Sequence, residues 1–250
     1  MTMTVPSTAR VAAMSHDQAM RLAATEYQRF LDLLRSLQPR DWTTPTACPG
    51  WDVRAMAAHL LGMVEMAASQ WENMRQVALA RRRGGVFIDA LTHLQVDRRA
   101  DMAPTQIIDR FAARAPKAVR SRRRTPGLLR RRAMPIRQLV GDYEEIWTLG
   151  YLIDVILTRD PWMHRIDIVR ATGAAHVLTP DHDGQIVADV VTDWAARHGQ
   201  PFELHLSGPA GGRQTRGRGG PRIEMDAVEF CRAVSGRGPT EGLLSTQVPF

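Results

Sequence analysis

The chain of 250 residues has almost no lysine: Lys117 stands alone against 32 arginines. Cysteine is nearly as scarce. Cys48 and Cys231 lie far apart, which excludes a disulfide framework and a C-x-x-C redox or metal pair. Both read as buried structural thiols, kept reduced in the expected cytoplasmic location. Aromatic residues make up 6%, and no run approaches the roughly 18 apolar residues of a transmembrane helix. The opening segment MTMTVPSTARVAAMSH has one Arg and no apolar core, so it is expected to be a loose arm rather than a secretory signal. What the chain does have is 44% hydrophobic residues, ample for a sizeable core, and 24% charged residues, ordinary for a globular protein.

Its basicity is local. Arg110, Arg114, Lys117, Arg120, Arg122, Arg123, Arg124, Arg130, Arg131, Arg132 and Arg137 fall in one stretch without an acid. Without those eleven charges the formal net charge of +7 becomes −4. A general nucleic-acid binder would be basic throughout, so this distribution argues against one. The run has no interleaved aromatics for base stacking, and a solvated interhelical loop is the expectation for residues 120–132. Contact with nucleic acid or a membrane through Arg120–Arg132 is disfavoured.

Apolar spacing reads as helices through the first half. Ser15 and Gln18 form a capping box ahead of Met20, Leu22, Ala23, Phe30, Leu33, Leu34 and Leu37, and Pro39 ends that helix. A second helix is expected from about Trp51 to Ala80 and a third from Pro104. The arginine run with Pro116, Pro126 and Pro135 should then interrupt regular structure. A fourth helical region follows from Pro135 towards Thr172, with Pro161 inside it as a kink or a restart. Four such helices form a bundle most simply. After Gly173 the pattern changes to a helix from Thr179 or Asp181 to Gly199, an alternating strand PFELHLSG, a flexible glycine-rich turn, and a short strand and helix ending at Gly236. The expected organisation is mainly α, a helical bundle over 1–173 and a small α/β domain over 174–250. Both Trp71 and Trp147 are expected to pack in a core.

Three side chains can converge inside that bundle. His59 lies three residues after Met56 and four before Met63, on their inward face. His164 lies four residues after Asp160, so in a helix both project from one side. Two imidazoles and a carboxylate suit a divalent cation, zinc first, with positions left for water or a thiolate. Singly, each has a plainer reading: a hydrogen-bonded core histidine, or Asp160 as an N-cap before Pro161. Asp167, three residues beyond His164, can orient that ring or pair with Arg170 on the surface.

The segment WTTPTACPGWDVRAMAAHLLG, residues 42–62, resembles the entry motif of the mycothiol-dependent maleylpyruvate isomerase family, within the DinB-like superfamily of metal-binding four-helix bundles. RDPWMHRIDIVRATG, residues 159–173, resembles its later motif, and DAVEFCRAVSGR, residues 226–237, the end of its C-terminal domain. The resemblance implies a DinB-like bundle with a small C-terminal α/β domain, and His59, Asp160 and His164 as metal ligands. It implies mycothiol as cosubstrate, a small electrophile as substrate, and Arg237 near a substrate or thiol carboxylate. Arg237 also reads as an ordinary charge at a helix C-terminus. The arginine-rich usage fits the actinobacteria that make mycothiol. Where the family usually has Glu, this chain has Asp160, one methylene shorter and followed by Pro161. The implied activity is isomerisation or S-conjugation, and the sequence does not choose between them. A non-catalytic metal-binding or interaction module, contacting acidic partners through the arginines or pairing as a homodimer, is the competing expectation.

Overall fold

The computed structural model describes residues 9–250, so the first half of the expected N-terminal arm lies outside the described residues. The first helices are α1 (His16–Ser36), α2 (Val53–Ala68), α3 (Gln70–Arg83), α4 (Phe87–Asp97) and α5 (Pro104–Arg123). A short α6 (Gly127–Arg130) precedes strands β1 (Gln138–Val140) and β2 (Tyr143–Glu145). Then come α7 (Leu149–Tyr151), a π-helical turn over Leu152–Ile156, and α8 (Leu157–Thr172). The chain ends with α9 (Gln185–His198), β3 (Phe202–Ser207), β4 (Gly212–Arg216), β5 (Arg222–Asp226) and α10 (Ala227–Val234). Among the described residues no helix is long and apolar enough to cross a membrane.

Two compact units result. One comprises residues 16–126 and 160–176; the other joins the described part of 1–15 to 127–159 and 177–250.

In the first unit, α1, α2, α5 and the later part of α8 make a four-helix bundle. Their apolar faces meet at Phe30, Leu34, Met56, Leu60, Ile107, Phe111 and Ile168, all fully buried. Each such side chain contributes about 1.5–3 kcal/mol by leaving water. Phe111 is central, with ring centroids 5.9 Å from Tyr27, edge-on, and 5.3 Å from Phe30. The expected second helix is in fact two. Ser69 is extended (φ −147°, ψ 121°) and its hydroxyl accepts from Glu72 N at 3.3 Å, capping α3 inside an otherwise continuous apolar pattern. An unanticipated helix, α4, packs Leu91 and Leu94 in a satellite core with Ala80.

The arginine stretch also differs from expectation. Residues 110–123 are helical and Pro116 lies inside α5, on its exposed side. The helix survives the lost donor because Ala115 and Ala118 stay buried on the core side. Arg122 turns inward, 2% exposed, with Nη1 donating to Tyr27 Oη at 3.0 Å. Trp71, expected in the core, is 72% exposed; Trp147 is buried.

In the second unit, β3 is central, antiparallel to β4 and parallel to β5. Phe202, Leu204 and Leu206 face inward by strand alternation. Trp194 of α9 packs 4.9 Å from Phe202 and 5.3 Å from Phe230 of α10. Helix α9 stops at Gly199, whose φ of 69° needs glycine. The segment read as a flexible turn holds β4, an edge strand with no apolar alternation to announce it. The helix expected from Pro135 begins only at Leu149, capped by Thr148 Oγ1, which accepts from Tyr151 N at 3.1 Å. Before it runs the hairpin β1–β2, turning at Gly141 with φ +59°. Cys231 is fully buried, and burial pushes its thiol well above the ordinary range, as suits an inert core residue; Cys48 is only half-buried.

Candidate metal centre

Asp52 caps α2, accepting from Ala55 N at 2.7 Å, and so fixes the phase that turns His59 inward, 4% exposed. Pro161 has no backbone N–H to donate to the preceding turn, directly after the π-helical turn. The helix nevertheless runs through Asp160, which is therefore not an N-cap and projects beside His164. Asp160 Oδ1 lies 3.6 Å from His59 Nε2 and 3.3 Å from His164 Nε2. The imidazoles stand edge to face at 5.5 Å, and the ligating atoms of all three residues lie within 4.8 Å of one another.

The hydrogen bonds behind the rings decide which nitrogens face inward. Gln76 Nε2 donates to the Gly62 carbonyl at 3.2 Å, so its Oε1 must be the acceptor of Gln95 Nε2 at 2.9 Å. Gln95 therefore turns Oε1 to His59 Nδ1, at 2.8 Å, and that nitrogen donates. His164 Nδ1 likewise donates to Asp167 Oδ2 at 3.4 Å, with Asp167 buried. Both Nε2 atoms are left pointing at one carboxylate, whose Oδ2 is buried with no hydrogen-bond partner among the described residues. Two lone pairs aimed at an anion repel unless a cation or a proton sits among them. The residues fit a divalent ion with three protein ligands and open positions. In the metal-free protein a proton takes that seat. Burial disfavours charge on His164, but the Asp160 carboxylate outweighs it and holds the imidazole well above its ordinary value. Burial likewise raises Asp160, and the two histidines overcome it, holding the carboxyl far below its usual range.

Gln95 is the residue that sequence reasoning missed. It sits 36 positions from His59 on the unanticipated α4, and no local spacing connects them. One signal existed. Gly62 interrupts α2, where glycine costs about 1 kcal/mol against alanine, and such a residue marks a close approach. A Cβ there would stand 2.6 Å from Gln95 Cγ. Gln95→Leu is expected to lower zinc affinity about 10–100-fold while leaving His59, Asp160 and His164 in place. Isothermal titration with zinc checks this, and unchanged affinity would show that the amide does not set the ring.

Cys48 Sγ lies 4.0 Å from Asp167 Oδ2, so that carboxylate accepts from thiol and ring together. Cys48, His164 and Asp167 also cluster within 4.8 Å, but their atoms bond to one another rather than facing a gap. Beside the centre opens a cleft of about 450 Å³ lined by Cys48, Trp51, Arg54, Ala58 and Arg99. Trp51 joins the two, its ring 5.2 Å from His59 and 6.2 Å from His164.

The family model for the mycothiol maleylpyruvate isomerase N-terminal domain matches residues 23–169, more than half of the chain. The chain belongs to that family. Two crystal structures are similar to this maleylpyruvate isomerase family member: mycothiol-dependent maleylpyruvate isomerase, and a histidine-to-alanine mutant of it. Each covers 90% of both chains at 12% identity with a TM-score of 0.56, a likeness of fold, here the DinB-like bundle with its small α/β part. No curated protein matches the chain. In this family member His59, Asp160, His164 and Asp167 lie together in the bundle unit; Arg237 belongs to the other unit, where its Nη1 donates to Ser235 Oγ at 3.1 Å.

Proposed function

We propose that this chain is a divalent-metal-dependent enzyme that uses a low-molecular-weight thiol, mycothiol, to isomerise or conjugate a small electrophile. The observation that carries the reading is the convergence of two Nε2 atoms and one carboxylate, with an unpartnered Asp160 Oδ2, beside an open cleft. Membership of a family named for mycothiol and maleylpyruvate isomerisation supports the thiol and the reaction class.

His59, Asp160 and His164 hold the ion, zinc by its preference for two imidazoles and a carboxylate. Its charge would favour the thiolate form of a bound thiol at neutral pH. Gln95 and Asp167 keep the Nδ1 protons in place and leave both Nε2 atoms as ligands. Trp51 covers the imidazoles and walls the cleft that admits thiol and electrophile. Arg54 lines that cleft without an ion pair or hydrogen bond among the described residues, and offers its guanidinium to a carboxylate. Arg237 is proposed for the same chemistry, on the resemblance of residues 226–237 to the end of the family's C-terminal domain. Addition of the thiolate sulfur to carbon, followed by bond rotation and expulsion of the same thiolate, gives a cis–trans isomer. Retention of the new S–C bond, with a proton taken up at the adjacent carbanion, gives a conjugate.

Elemental analysis of untagged protein purified without chelator is expected to find about one divalent ion per chain. Its removal should abolish mycothiol-dependent turnover of maleylpyruvate or of a conjugated electrophile, and zinc should restore it. Protein that stays metal-free after reconstitution would overturn the proposal.

A further inference from the structure

The bundle unit carries a second concave site whose chemistry the metal centre does not use. It is a cleft of about 320 Å³ walled by α2, α3, α5 and the turn that follows α4, the volume of a small-molecule pocket. Five guanidinium groups line it, from Arg75, Arg98, Arg99, Arg110 and Arg114, against the carboxylates of Glu65 and Glu72. Those two acids are already engaged. Glu65 takes both Arg99 and Arg110, and Glu72 takes Arg75 through two bonds at 2.8 and 2.6 Å. The guanidinium groups of Arg98 and Arg114 have no acidic or hydrogen-bond partner among the described residues, and the wall keeps an excess of three positive charges. Arg99 is 4% exposed and its Nε has no acceptor among the described residues. A buried donor left unmet is unfavourable, and an acceptor brought into the cleft would relieve it. The same cleft is edged by the indole of Trp71, 72% exposed, the largest exposure among the aromatic side chains described.

We infer that this cleft binds a small molecule carrying a multiply charged phosphate and a flat ring. Crowded guanidiniums repel one another, and an oxyanion relieves that repulsion while accepting forked hydrogen bonds. Guanidinium sheds water more readily than ammonium, so exchanging solvent for phosphate is favourable even at a half-open site. A ring seated on Trp71 covers an apolar face that otherwise stays in water. A nucleic-acid strand is the poorer fit, because the charge is gathered in a concavity with one aromatic rather than along a track of several. None of His59, Asp160 and His164 lines this cleft, although Arg99 borders both it and the cleft beside the metal centre.

The test is isothermal titration of the full chain with inorganic pyrophosphate and with adenosine diphosphate, used as a probe that adds a ring to the phosphates. Saturable one-to-one binding of both is expected, tighter for the nucleotide. Arg98→Ala/Arg114→Ala should weaken both by about tenfold or more, since each removes a donor of charge-assisted hydrogen bonds to the phosphate. Trp71→Ala should weaken the nucleotide alone. Arg131→Ala/Arg132→Ala, an equal loss of charge elsewhere, should change neither. Absent or unsaturable binding overturns the inference. So does equal weakening by the two double variants, which would mean diffuse attraction, or a Trp71→Ala chain that binds the nucleotide as the wild type does.

Discussion

His164→Ala, purified without chelator, should carry no stoichiometric metal and bind added zinc more than about a hundredfold more weakly than the wild type. The bound is set by the outer residues: losing a partner such as Gln95 costs about 10–100-fold, and a lost ligand must cost more. His59→Ala is expected to behave alike, because the two histidines and Asp160 provide the three donors proposed for the ion, one each. The wild type adds a signature in pH. His164 is held above its ordinary value of 6.5 by Asp160, so zinc must displace its Nε2 proton. Zinc affinity should therefore fall about tenfold per pH unit once the pH is below that raised value. For the metal-free protein the sign differs between the two groups. The raised His164 contributes stability fully below pH 6.5, lost as pH rises through its folded value. The depressed Asp160 contributes above pH 3.8, lost as pH falls towards its folded value. Metal-free protein is thus expected to gain most from the pair between those limits, and zinc to stabilise most on the alkaline side. Thermal melts with and without zinc across pH 4–9 check both arms. Equal stabilisation at every pH would show that proton and metal do not share a site.

Glu26→Leu should be the more damaging change to the fold, at about 3–5 kcal/mol. Glu26 and Arg165 are a buried forked pair joining α1 to α8, with Nε to Oε1 at 2.7 Å and Nη2 to Oε2 at 3.1 Å. Arg165 is the next residue after His164, so the pair also fixes the turn of helix that carries the imidazole. Removing the acid leaves a guanidinium in the interior. Replacing both, as Glu26→Leu/Arg165→Met, removes the desolvation penalty together with the attraction, and stability should return to near the wild-type value. Urea unfolding of the two variants separates these outcomes. If both were equally unstable, shape rather than charge would be what the pair provides.

The sequence alone determined those features whose cause lies within one or two helical turns. The spacing of Phe30, Leu33 and Leu34 made α1 amphipathic, the alternation of Phe202, Leu204 and Leu206 made β3, and Gly199 ended α9. The intervals from Asp160 to His164 and from His164 to Asp167 by themselves put three polar groups on one side of α8. What only the tertiary structure decided was which distant groups answer them. Gln95 reaches His59 because Gly62 lets α4 approach α2, a contact between residues that share no periodicity. Ser69 breaks an apolar pattern that by spacing continues, since a hydroxyl able to cap acts as a cap only when the packing of the next helix favours the break. Arg122 reads as one more solvated charge until Tyr27, from another helix, gives it an acceptor in the core. Local patterns record what a residue faces, but the partner it finds there is set by how the helices cross.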